Sequence, residues 1–527
     1  MPGTRFNPEK GCLEGTRVTF LQAITDWVND VDPSSPMALM LFGQAGSGKS
    51  SIAHEIAKKF DDAGCLVTSY CFIRDVTSRE TYKFFTTLAR NLCSRYPAFK
   101  AALDTIIRKK PDVLAATDFT TLFKSLIVDP LEGLQPVSPV LIVIDALDES
   151  EDANRRSPHT FHTFLGKHID QLPSNFRILM TSRPEPGIME AFPISSYVRQ
   201  MSMDDRQLAH PGEVDNDIYR YMRTMLWEAG VENNVLHRLA RKAEGLFQWA
   251  FVACSYIAEP PPGLEQKDCI ERVLHPTGGK ESLDAIYLTI LERFKMDDPY
   301  IGDNFRSIMG QVLGVFEPLS IAALNIMRQC NPDQSGRTNV SSVVKHMGSL
   351  LSNVTPNSEN PISPLHTSFR DFLINPDRSG KFCVNLDVAR AQLAYATVET
   401  MRAMLHFNIC KLSTSYCLNS EVPDLEERIT KHIPSALSYS CRFWAKHLAY
   451  AFGTEAELFR CLQVFIEEKL LFWLEVLSVR KEVPIASTAL LLLRAWLGRI
   501  RDKVRISLIF LIFSTIQRKK NRFRLNK

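Results

Sequence analysis

The segment Met37–Ser50, MALMLFGQAGSGKS, constrains this chain more than any other: an apolar run breaks into Gly43-x-x-x-x-Gly48-Lys49-Ser50. That spacing is a phosphate-binding P-loop in the context the motif requires, with a buried strand (38–42) leading in and a helix-forming stretch (51–60) leading out. Glycines allow the chain to curl so that successive N–H groups and a helix N-terminus point at an anion. Gly43, Gln44, Ala45, Gly46, Ser47, Gly48, Lys49, Ser50 and Ser51 therefore form the candidate nucleotide cradle. Lys49 is expected to reach the β- and γ-phosphates, and the Ser50 hydroxyl to take one position on Mg²⁺. The plainer alternative is a glycine-rich strand–helix turn without a ligand, and the flanking apolar run and helix argue against it. The chain is read as binding a nucleoside triphosphate or its diphosphate.

Around this loop the pattern alternates between strand and helix. Apolar or mixed runs at 66–73, 140–144, 176–181 and 196–203 follow the first strand, separated by helical stretches at 81–95, 100–109 and 120–128. Val140–Ile144 (VLIVI) is apolar throughout, as a parallel strand covered on both faces must be. Strands alternating with helices predict an α/β P-loop NTPase fold, a doubly wound and mostly parallel sheet. A lead-in helix precedes it, on which Val18, Leu21, Ile24 and Val28 recur at helical spacing. Beyond residue 203 the periodicity turns helical. The expected division is a lead-in (1–35), the NTPase domain (36–203), a helical domain (204–298), a winged-helix-like unit (299–380) with strand pieces at 349–354 and 364–367, a second helical domain (381–500), and a tail (501–527). No repeat of solenoid or propeller period is visible.

A second motif supplies the metal and water chemistry. Asp145 ends the apolar strand 140–144, which places a carboxylate at the C-terminal edge of the sheet beside the P-loop, where it can hold Mg²⁺. Asp148 and Glu149 follow a turn later, where one of them could orient or deprotonate the attacking water. The competing reading is a solvated turn or a helix cap. Thr181-Ser182-Arg183 ends another strand, and Arg183 there could sense a γ-phosphate; otherwise it is a surface arginine before Pro184.

Composition narrows the setting. At 527 residues the chain is too long for one core, and three or four domains are expected. A net charge of +3 gives no general pull toward nucleic acid or acidic lipid. Twelve cysteines without a paired spacing read as reduced thiols, and the first residues lack the apolar stretch of a secretory signal, so a cytoplasmic location is expected. The apolar run 506–516 beside a basic cluster is about half of the ~20 residues that span a bilayer. Membrane contact through this tail is conceivable, but a core element or an unpartnered terminus is the preferred reading.

Asp145, a small residue, a hydrophobe and then Asp148-Glu149 resemble the Walker B motif of NACHT-type STAND NTPases. More narrowly, the chain resembles fungal NACHT proteins of the kind that often carry WD-type repeats. Agreeing landmarks are Cys12-Leu13-x-Gly15-Thr16-Arg17, Thr181-Ser182-Arg183-Pro184, Glu244-Gly245-Leu246-Phe247-x-Trp249-Ala250, Pro318-Leu319-Ser320-Ile321, Leu365-His366-x-Ser368-Phe369-x-Asp371-Phe372-Leu373 and Tyr439-x-Cys441-x-Phe443-Trp444. The resemblance implies a switch that closes around ADP and opens into a homo-oligomer when ATP replaces it, in non-self recognition or cell-death signalling, with an unknown protein partner. It also implies His366 as a contact to the β-phosphate, against the alternative of a histidine bonded to backbone in an apolar seam. Family members usually carry an N-terminal effector domain and a C-terminal repeat array, and the sequence read here is expected to be the core between them. Two rivals stand beside the ATP/ADP- and Mg²⁺-dependent switch: a non-hydrolysing protein that holds ADP, and a remodelling ATPase acting on nucleic acid or protein complexes. Nucleic acid is not expected, because the segment Ile321–Arg328 is nearly uncharged.

Overall fold

The computed structural model describes residues 6–499 except 33, 73–80, 117, 133–138, 151–159, 204–210, 261–262, 276–281, 331–337, 355–358, 415–417 and 452–454. The chain divides into two compact units, Met1–Ile286 and Tyr287–Lys527.

Among the described residues of the first unit, five strands form one sheet in the order β2-β3-β4-β1-β5. They are β1 (Ala38–Phe42), β2 (Leu66–Cys71), β3 (Val140–Asp145), β4 (Phe176–Ser182) and β5 (Val198–Ser202). Every pairing is parallel, with Ala38 opposite both Ile178 and Val198, and Val140 opposite Phe176. All residues of β1, β3 and β4 are buried, which is why they read as mainly apolar runs, with the polar Asp145, Thr181 and Ser182 at the strand ends. Alternate residues serve opposite faces. Leu39, Leu41, Leu141, Val143 and Leu179 pack with Phe20, Ile24 and Trp27 of α1 (Val18–Asn29) and with Ile52 and Ile56 of α2 (Lys49–Asp62). Met40, Phe42, Ile142, Ile144 and Met180 pack instead against Phe84, Phe85, Leu88 and Phe161 from helices on the other face. This is the doubly wound arrangement the alternation predicts.

The sheet order has one consequence for function. β4 lies between β1 and β3, so Thr181-Ser182-Arg183 ends between the P-loop strand and the Asp145 strand. The lead-in helix differs from expectation in its buried face. Phe20, Ile24, Trp27 and Val28 point inward while Val18 is 56% exposed. Ile24 and Val28 of the expected stripe are buried, Leu21 packs half-buried against the same core, and Phe20 and Trp27 join them, so the stripe is rotated away from Val18. Arg177 fixes this helix to β4: its guanidinium donates to the carbonyls of Trp27, Ser174, Phe176 and Asp30. After β5 the helices Pro211–Met225, Asn233–Lys242, Phe247–Ala258 and Gln266–Leu274 follow.

In the second unit, helices Pro299–Gly314 and Ile321–Gln329 precede a single antiparallel bridge, Leu351 to Pro364, and helix Thr367–Ile374. The two expected strand pieces thus reduce to this bridge and its flanking bonds, Ser352 N–H to Ser363 and Leu365 N–H to Leu350. Arg328 is buried and donates to Ser307 and Gln311, so helix Ile321–Gln329 does not offer its one cation to solvent. Helices Leu386–Met404, Ser435–Leu448, Leu470–Val479 and Pro484–Leu497 share a core in which Trp444 meets Trp473 edge-on at 5.8 Å. A Cβ on Gly310 would lie 2.9 Å from the Ala389 Cβ, so helix Pro299–Gly314 approaches helix Leu386–Met404 as closely as backbone allows. The landmark around Tyr439 is structural: its hydroxyl accepts from the Phe316 N–H and lies 2.7 Å from His447 Nε2, all in the interior. Among the described residues no helix is long and apolar enough to cross a membrane. The tail 501–527 lies outside them.

Arg177→Met keeps the alkyl stem but strips the donor from four carbonyls. The expected cost is about 2–4 kcal/mol, read as a lower denaturation midpoint at unchanged slope. Burial lowers the pKa of His162 from its ordinary value of 6.5, so the folded state prefers the neutral ring. Its contribution to stability is complete above 6.5 and is lost as pH falls through the depressed value. Melting temperature should therefore drop on acidification below 6.5, and His162→Gln should flatten that slope.

Candidate nucleotide and metal site

The P-loop leaves β1 at Phe42 and turns on two glycines in left-handed conformation, Gly46 (φ +83°) and Gly48 (φ +95°). Gly48 caps α2, and a Cβ there would meet nothing within 4 Å, so the space above the helix N-terminus is open. Gly46 is tight for the opposite reason: a Cβ would come 2.6 Å from the Gln248 Cβ. Lys49 Nζ donates to the carbonyls of Gly43 (2.7 Å) and Gln44 (2.8 Å), folded back over its own loop. Ser47 is buried, and its Oγ has no hydrogen-bond partner among the described residues. A buried hydroxyl inside an anion-binding turn is costly unless something bonds it, and a phosphate oxygen is a fitting acceptor. Gln44 and Ser50 are exposed, while Ala45 and Ser51 are half-buried.

Asp145 closes the site from β3. Its Oδ1 accepts from Ser50 Oγ (3.1 Å) and from Thr181 Oγ1 (2.5 Å), and its Oδ2 accepts from the Cys71 thiol at 3.5 Å. Helix α2 and strands β2, β3 and β4 therefore converge on one carboxylate that is 2% exposed. Burial, then the charges of Asp145 and Glu149, and the bond to Asp145, push the Cys71 pKa well above its ordinary range. The thiol stays protonated and serves as a donor, not a nucleophile. Thr181 Oγ1 also accepts from the Ala146 N–H at 3.0 Å, which holds Ala146 in a left-handed conformation (φ +56°). That kink turns Leu147–Glu149 into a short 3₁₀ turn in which Asp148 and Glu149 are buried.

Asp148 and Arg183 are joined. Asp148 Oδ1 accepts from the Arg183 N–H at 3.1 Å, and Oδ2 lies 3.2 Å from Arg183 Nε. Two residues expected to act separately thus form one clasp. His366 belongs to the second unit, where it caps helix Thr367–Ile374. Its Nδ1 accepts from the Ser368 N–H at 3.1 Å and lies 2.6 Å from Ser368 Oγ, which in turn is 2.8 Å from the Tyr287 hydroxyl. A ring nitrogen that accepts from a backbone N–H carries no proton, so the hydrogen of His366 sits on Nε2.

Sequence reasoning missed three contributors. Thr181 was noticed for its neighbour Arg183, not for Asp145. Cys71 ends β2 in register with Asp145, which only strand pairing reveals. Arg17, part of a recognised landmark but given no task, is buried and donates from Nη2 to the Ser47 carbonyl at 2.8 Å. The donor set fits a nucleotide with Mg²⁺: hard oxygen ligands at Ser50 and Asp145, a cationic lysine and an open helix N-terminus.

Residues 15–183 match the model of the family described as Nephrocystin 3, N-terminal. The chain is 22% identical to the vegetative incompatibility protein HET-E-1 of Podospora anserina, an alignment covering 91% of this chain and 36% of that protein. The chain thus spans about a third of that relative's length. Among solved structures, similarity is found to the FIGL-1 AAA domain in complex with ADP (TM-score 0.30, 15% identity, covering 56% of this chain and 94% of that one). It is also found to C. elegans PCH-2 (TM-score 0.25, 13% identity, 51% and 65% covered). The α/β P-loop fold rests on the parallel sheet and its P-loop, not on these two likenesses. The sequence matches, joined to a P-loop and an acidic strand end that meet at one point, support a NACHT-like, nucleotide-binding P-loop NTPase.

Proposed function

We propose that this chain is a nucleotide-operated signalling switch that binds ATP or ADP with Mg²⁺ and hydrolyses ATP slowly. The observation that carries the reading is the 3.1 Å bond between Ser50 Oγ and Asp145 Oδ1, made between the helix after the P-loop and the end of β3. Lys49 binds the β- and γ-phosphates after leaving the Gly43 and Gln44 carbonyls, and Gly46, Ser47 and Gly48 supply the cradle. Ser50 and Asp145 hold Mg²⁺, which when bound offsets phosphate charge. Glu149, with Asp148, positions the attacking water, and Arg183 senses the γ-phosphate once released from Asp148. His366, protonated on Nε2, carries the kind of donor that an anionic oxygen accepts. Opening into a homo-oligomer, and a role in non-self recognition or cell death, are the finer parts of this proposal; the vegetative incompatibility named for the Podospora relative and the landmark motifs support them.

A second reading is favoured by the clasp itself. With both Asp148 oxygens engaged by Arg183, the site is arranged to hold a nucleotide without turning it over. A phosphate-release assay on the purified full chain separates the two.

Lys49→Ala should abolish measurable ADP binding in a calorimetric titration, since it removes the charge-assisted bonds to phosphate; unchanged affinity would refute the P-loop assignment. The double variant Asp148→Asn, Glu149→Gln should still bind ATP and lose its slow phosphate release. Continued release at the parental rate would place the water-orienting group elsewhere.

A further inference from the structure

A peptide plane carries its C=O and the next residue's N–H on opposite sides, so holding the carbonyl fixes where the N–H points. In the phosphate loop the Ser47 carbonyl is held by Arg17 Nη2 at 2.8 Å, which turns the Gly48 N–H away from Arg17. The Gly46 carbonyl is held likewise by the Gln248 N–H at 3.1 Å, at the start of helix Phe247–Ala258. Arg17 makes further connections. Its own backbone N–H donates to Asp217 Oδ2 at 2.9 Å, on helix Pro211–Met225, and that carboxylate is buried. Its guanidinium lies 4.8 Å over the Phe247 ring and 5.7 Å over Phe20. The backbone at Arg17 is left-handed (φ +56°), a conformation that costs a non-glycine residue energy and persists only where its surroundings enforce it.

We infer that Arg17 is a positioning residue that couples nucleotide occupancy of the P-loop to the packing of the helical segment 211–258. On one side it sets the peptide that presents the Gly48 N–H to phosphate. On the other it is tied to helix Pro211–Met225 through Asp217 and to helix Phe247–Ala258 through its stack on Phe247. An anion that draws on the Gly48 N–H strengthens the acceptor power of the same peptide's carbonyl, and so tightens the bond to Arg17. By reciprocity, whatever loosens the helices from Arg17 weakens nucleotide binding by the same factor. The inference rests on the nucleotide reading of the P-loop, which Lys49→Ala tests separately.

The test uses the full chain with ADP and Mg²⁺ as the probe. Affinity is measured by calorimetry, and backbone amide exchange is followed across 211–258 with and without ADP. In the parent, ADP should slow exchange in this segment. Arg17→Met, which keeps the stem but removes the donors, should weaken ADP about tenfold, within the usual range for linked sites, and should erase the ADP-dependent slowing. Arg17→Lys should restore part of both. Asp217→Ala leaves the P-loop contact intact and should still reduce affinity and the slowing together. If Arg17→Met is poorly folded, judged by its melting without nucleotide, Asp217→Ala and Arg17→Lys decide the matter. Parental affinity in Arg17→Met, or weaker binding with parental slowing in either variant, overturns the coupling. If Lys49→Ala binds ADP like the parent, the nucleotide reading itself falls.

Discussion

The first unit is organised around one carboxylate. Asp145 sits at the end of a central strand, almost wholly removed from solvent, and collects donors from Ser50, Thr181 and Cys71. A buried anion is expensive unless its lone pairs are met, and here each donor comes from a different element. The same bonds therefore satisfy the charge and fix the register of α2, β2 and β4 around β3. This makes the arrangement around Asp145 a property of the sheet. Pre-arranged polar groups of this kind avoid reorganisation when charge appears.

The P-loop is held with equal care from behind. Its glycines leave the front open, while Arg17 and Gln248 hold the carbonyls of Ser47 and Gly46. Arg17 gives Nη2 to the Ser47 carbonyl, while its guanidinium lies over the Phe20 and Phe247 rings. The lead-in segment thus packs directly against the phosphate loop.

Much of this was legible in the residues. The P-loop signature, the apolar strands and Asp145 at a strand end are local patterns, and the structure puts them where such patterns belong. Buried parallel strands read as apolar runs because both faces are covered, so β1, β3 and β4 were found within a residue or two. What local pattern could not disclose was strand order. Nothing in the sequence says that β4 enters between β1 and β3, and that insertion is what brings Thr181 to Asp145 and Arg183 to Asp148. The lead-in helix shows a different limit. Ile24 and Val28 face inward as the period predicts, but Phe20 and Trp27 are buried where Val18 is exposed, so the period alone leaves the stripe's rotation open. The strand pieces expected near 349–354 and 364–367 shrink to one bridge because few backbone groups there find partners across the turn.

The close approach of helices Pro299–Gly314 and Leu386–Met404 carries a mechanical implication. Gly310 is set directly against the Ala389 Cβ and Gly314 against the Leu393 side chain, so at Gly310 no long side chain is left to reorient as a cushion. Such a seam resists sliding and hinging alike, so a torque on one rod is handed to the other undiminished. Any large rearrangement of the second unit must carry this pair as a single lever arm.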